Sequence, residues 1–72
     1  MGVKMEIVEL NSEYITLQQL LKLKDVISSG GEVKYYLATH KVFVNNDLEQ
    51  RRGRKLYSGD VVKINEKEYL IK

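Results

Sequence analysis

Residues 28–47 read SSGGEVKYYLATHKVFVNND, and within this stretch the pattern changes from helical to extended. Ser29 followed three residues later by Glu32 has the form of a capping box, in which each side chain satisfies the other residue's free backbone N–H. The glycines at 30 and 31 let the chain turn sharply into the helix. Val33, Tyr36, Leu37 and His40 then recur at helical spacing on one face, while Lys34, Tyr35 and Lys41 point elsewhere. From Lys41 the period becomes two: Val42 and Val44 alternate with Phe43. Asn45-Asn46-Asp47 supplies residues that tolerate the left-handed backbone of a tight turn. A capped helix feeding directly into a hairpin places the chain in the α+β class.

Working outward, the N-terminal side repeats the helical device. Thr16 and Gln19 form a second capping box, and Ile15 before the cap faces Leu20 as a hydrophobic staple. A short helix over Leu17–Leu23 turns Leu17, Leu20 and Leu21 inward, and Val26 and Ile27 plug the connector between the two helices. Two short capped helices with a tight connector make a helical hairpin. Ahead of them, Val3 to Leu10 reads as a strand with Val3, Met5 and Ile7 on one side, followed by a turn at NSEY. On the C-terminal side, Leu48–Gln50 is a short return strand and Ser58-Gly59-Asp60 a turn. Val61–Ile64 and Tyr69–Ile71 close the chain as a hairpin around Asn65–Lys67. The expected order is β, α, α and then four strands: two short packed helices, a small antiparallel sheet and an N-terminal strand.

With 72 residues there is room for one core, and residues 1–72 are expected to form one domain. The chain has no cysteine, so disulfides and thiolate metal sites are excluded, and it has no proline or tryptophan. Its stability rests on Leu, Ile, Val and Tyr packing and on its helix caps. The start, MGVKME, has no apolar signal core, Glu6 stands where a myristoylation motif needs Ser or Thr, and no apolar run reaches transmembrane length. A cytoplasmic setting away from membranes is the expectation, in keeping with the missing cysteines. Charge is unevenly placed. Residues 1–32 carry three Lys against five acids, whereas residues 33–72 carry nine Lys or Arg against five. An anionic partner fits that asymmetry.

Four stations along the chain carry a family resemblance, LQQLLKL (17–23), SGGEVK (29–34), HKVFVNN (40–46) and LYSGDVV (56–62), the last of them running on from RRGRK (51–55). Taken in order, they resemble the S4-like RNA-binding domain, above all its compact single-domain bacterial members of the YaaA or YbcJ type. The core motif spans about residues 16–64. The resemblance implies the alpha-L motif of two packed helices beside a small sheet. It also implies binding of structured RNA, ribosomal RNA in particular, in ribosome assembly or large-subunit quality control. Gly30 occupies the place of the family's helix-opening Arg, and Val33 that of a small Ala. The burden of phosphate contact therefore shifts onto Lys34 and the basic run.

That run, Arg51-Arg52-Gly53-Arg54-Lys55, holds three guanidinium forks that grip phosphate bidentately, with no acid inside it and a glycine that lets the backbone approach a ligand. Lys34 and Tyr35 lie at the start of the second helix, where free N–H groups already favour an anion. Tyr35 either stacks on an unpaired base or packs against the N-terminal strand. Candidate RNA-binding residues are therefore Lys34, Tyr35, Arg51, Arg52, Arg54 and Lys55. Leu17, Leu20, Leu21, Val33, Leu37, Val42, Val44, Leu56, Val61 and Ile64 form the core behind them. His40 reads as a helix cap or packing residue, and Asp60 as a turn residue bonding backbone N–H groups. No catalytic set, cofactor or metal site is expected, and a monomer is. Two other readings fit the same residues: an adaptor whose basic face meets an acidic protein, and a small regulatory enzyme using His40.

Overall fold

The computed structural model of the chain describes residues 4–72. Among these, β1 (Lys4–Val8), β2 (Ile15–Thr16), α1 (Leu17–Leu23) and α2 (Gly30–Thr39) are followed by β3 (Val42–Val44), β4 (Asp47–Leu48), β5 (Lys55–Leu56), β6 (Val61–Ile64) and β7 (Lys67–Ile71). The expected α+β class and helical hairpin are present. Five strands form one mixed sheet in the order β1-β7-β6-β3-β4, and β2 pairs with β5 in a second ladder. Only β1 runs parallel to its neighbour, β7; the other pairings are antiparallel.

Thr16 caps α1 as its sequence requires. Its Oγ1 accepts from the Gln19 N–H at 3.2 Å, and Gln19 Oε1 accepts from the Thr16 N–H at 2.8 Å. The corresponding box at α2 has slipped by one residue. Ser29 occupies the N-cap but makes no side-chain cap bond. Instead Glu32 Oε1 accepts from the Ser28 N–H at 2.9 Å and from the Ser28 hydroxyl, contacts that lower the Glu32 pKa. The cause is the pair of glycines, which start the helix immediately and bring α2 close to α1. A Cβ on Gly30 would stand 2.8 Å from Gln18 Nε2. His40 is the C-cap: its N–H donates to Tyr36 O at 2.8 Å, and its ring stacks on Tyr36 with centroids 4.2 Å apart.

The strands alternate strictly. Val42, Val44, Val62, Ile64, Tyr69, Ile71 and Val8 face inward and meet Leu17, Leu20, Leu21, Ile27, Val33, Leu37 and Leu56 in one core. The expected core holds except at Val61, which is half-buried while Val62 takes the inner position. Val62 stands opposite Val44 and Tyr69, so its parity is set by both neighbouring strands. The same parity turns Met5 and Ile7 outward, each about half exposed at 52%. Val3 lies outside the described residues. Two turns hold the hairpins in register. Asn45 and Asn46 have φ of 52° and 73°, which is the two-residue turn that matches strand twist. Asp60 bonds the Tyr57 N–H at 2.8 Å and the Asn45 amide at 3.0 Å, and Asn45 Oδ1 accepts from the Val61 N–H at 3.0 Å.

Candidate nucleic-acid interface

The basic run is a loop between β4 and β5, and its backbone is fastened to the start of α1. Leu17 N–H donates to Arg54 O at 2.8 Å and Gln18 N–H to Arg52 O at 3.0 Å. With Thr16 serving Gln19, the three leading N–H groups of α1 are all satisfied. The β2–β5 ladder, pairing Thr16 with Lys55 and Ile15 with Leu56, secures the far end of the loop. A short helix and a two-residue ladder thus hold the arginines in a defined place. Sequence patterning gives no sign of this, because each partner is more than thirty residues away along the chain.

The side chains divide between two flanks. On one, Arg52 shares a shallow groove with Lys34, Leu37 and Ala38 of α2 and with Gln50. This joins the two cationic elements that the sequence singled out separately. On the other, Arg51, Gly53, Arg54, Lys55 and Tyr57 line a second open hollow. The Lys55 ammonium lies 4.9 Å from the centroid of the Tyr14 ring, which in turn meets Tyr57 at 5.8 Å. Tyr35 is 73% exposed, which is not the exposure of a ring packed on the N-terminal strand. A Cβ on Gly53 would meet nothing within 4 Å, so the loop tip is open to solvent.

The absence of an acid between Arg51 and Lys55 does not leave the run unpaired. Glu49, only 5% exposed, turns inward just after β4, its N–H donating to Val42 O at 2.8 Å. Its Oε2 accepts from the Arg51 N–H at 3.0 Å and from Arg51 Nε at 2.9 Å. Its Oε1 accepts from Arg51 Nη2 at 3.1 Å and Arg54 Nη1 at 2.6 Å. The Arg51 bonds above all hold the Glu49 carboxyl at about 2, against 4.5 ordinarily, and burial opposes them. One carboxylate therefore serves two of the three arginines, and Glu49, Arg51 and Arg54 together carry a net charge of +1. Glu49, Gln50, Tyr14 and Tyr57 were not among the residues expected from sequence. The signal for Glu49 was its position two and five residues before Arg51 and Arg54, visible only once the turn after β4 is known.

A helical hairpin on a small mixed sheet, with one cationic ridge fastened to the first helix, defines a compact α+β module built around that ridge. The chain belongs to the S4 domain family, whose model matches residues 8–72. It is similar to a protein of Bacillus subtilis (strain 168) described as a probable ribosome maturation protein, RlbA. The two are 56% identical over 57 residues, which cover 79% of this chain and 80% of the relative. Among the described residues no helix is long and apolar enough to cross a membrane.

Proposed function

We propose that this chain binds structured RNA, ribosomal RNA in particular, and acts in ribosome maturation. Membership of the S4 domain family and similarity to a probable ribosome maturation protein of Bacillus subtilis support an RNA-linked role. The observation that carries the reading is the ridge itself, with Arg52 facing Lys34 across a groove and Arg51, Arg54 and Lys55 on the opposite flank. Duplex RNA hides its base edges in a deep major groove, so a protein this small reads backbone and shape. In this account Lys34 and Arg52 take phosphates of one strand, and Arg51, Arg54 and Lys55 those of the neighbouring strand. Tyr35, exposed on α2, stacks on an unpaired base or ribose beside the groove.

The test is a titration of a structured ribosomal RNA fragment at a series of salt concentrations. Phosphate contact predicts a linear fall of log affinity with log salt, and contacts by three to five cations correspond to a slope of about −2.7 to −4.5. A shallower slope, with no competition by RNA for an acidic protein partner, would favour the adaptor reading instead.

A further inference from the structure

We propose that Glu49 is a positioning residue for RNA binding, holding Arg51 and Arg54 as a preset pair of phosphate forks. The inference rests on the RNA-binding reading above and deepens it. A buried acid beneath a cationic loop has two opposite consequences. It subtracts charge from the face, which weakens attraction to an anion. It also fixes guanidinium groups that would otherwise sample many rotamers, which strengthens any contact needing them in register.

The geometry favours the second effect. Glu49 engages one edge of the Arg51 guanidinium through Nε and Nη2 and, through Oε2, also takes the Arg51 backbone N–H. Side chain and main chain of Arg51 are thus tied to the same carboxylate. Arg54 reaches the other carboxylate oxygen through Nη1 alone. Each fork keeps several N–H donors unused, three on Arg51 and four on Arg54, counting five per guanidinium. The Arg51 side chain is anchored yet 75% exposed, whereas the carboxylate under it is 6% exposed. A group ordered on one edge and open on the other is suited to receive a ligand. The loop backbone already has its own ties to α1 and β2, so the ion pair is not the only thing that holds the loop.

The two effects have opposite signs in one variant, Glu49→Gln, which raises the charge of the face by one and retains an acceptor for the Arg51 N–H. If Glu49 only neutralised charge, the variant would bind the ribosomal RNA fragment about two- to fivefold more tightly. If it positions the arginines, the variant binds roughly tenfold more weakly, because two long side chains must be ordered on binding. Its salt slope also falls by about one to two. Amide hydrogen exchange at Leu17 and Gln18 is read on the same samples, since their bonds to Arg54 O and Arg52 O report the loop backbone. Weaker binding with a smaller slope and retained protection at both amides is the expected result. Equal or tighter binding overturns the inference and leaves the RNA reading standing. Weaker binding with lost protection also overturns it, since the role is then structural. No binding by the wild type removes the RNA reading, and this inference with it. Should the variant not fold, the wild type decides: the Arg51 Nε–H must show a high order parameter by NMR and Arg52 a low one. Equal mobility would refute the clamp.

Discussion

Replacing Glu49 by Gln is expected to flatten the acid limb of the stability profile, by an amount that follows from the geometry. The Glu49 carboxyl is held at about 2 by Arg51 and Arg54, against 4.5 ordinarily. Its folded-state pKa is depressed, so its contribution is fully present above about pH 4.5. The contribution is lost as the pH falls through the interval to about 2. At about 1.4 kcal/mol per pH unit of displacement, the ceiling is about 3 kcal/mol. The Arg51 partner is largely in water, and solvent screening brings the expected value to about 1–2 kcal/mol. For a domain of this size that corresponds to roughly 5–15 °C in Tm. Urea unfolding of wild type and variant, at steps from pH 7 to pH 2, reads it directly. Glu6 and Glu32 also have lowered pKa values, through Lys24 and Ser28 respectively, but both are common to the two proteins and cancel in the difference. The gap between the two curves is expected to shrink from its neutral value to near zero by pH 2. Parallel curves over the whole range would refute the ion-pair geometry at Glu49.

Thr16→Ala removes the side-chain half of the capping box on α1, the bond from the Gln19 N–H to Oγ1, and is expected to cost about 1 kcal/mol, checked by thermal melting. The glycines of the two turns should respond unequally to alanine. Gly59, at φ 99°, is expected to lose about 1–2 kcal/mol, while Gly53, with open space at its Cβ, stays within about 0.5 kcal/mol of wild type in the same assay. Arg52→Glu leaves the cap on Gln18 intact, because that bond uses the Arg52 carbonyl. Stability should therefore change by less than about 0.5 kcal/mol, while affinity for ribosomal RNA drops at least about tenfold in a filter-binding titration.

The parts of the structure that sequence revealed are those whose partners lie within a few residues. The Thr16–Gln19 box, the left-handed Asn45-Asn46 turn and the inward leucines of α1 are local, and each took the form its residue types dictate. The Ser29–Glu32 box was local too, yet slipped to Ser28 because two glycines admit more than one entry into a helix. The face of β1 was harder to read. Its alternation fixes that Met5 and Ile7 share a side, but which side is inner depends on the parallel register with β7. The arginines of the ridge stood out in sequence by composition. Their coupling to Glu49 did not, because it needs the chain to bend back after β4. Nor did the attachment of the loop to α1, which joins residues more than thirty apart. Lys34 and Arg52 lie eighteen residues apart on separate elements, and only the tertiary fold brings them to one groove.

The cationic ridge is proposed to be the surface that meets RNA. Titrating the uniformly 15N-labelled protein with a structured ribosomal RNA fragment and following every amide tests it residue by residue. Chemical-shift changes are predicted at Arg51, Arg52, Gly53, Arg54 and Lys55 and along the Lys34, Tyr35 and Ala38 side of α2, with β1 and β7 undisturbed. Changes concentrated on Met5, Ile7 and the outer face of the sheet, or no changes at saturating RNA, would contradict it.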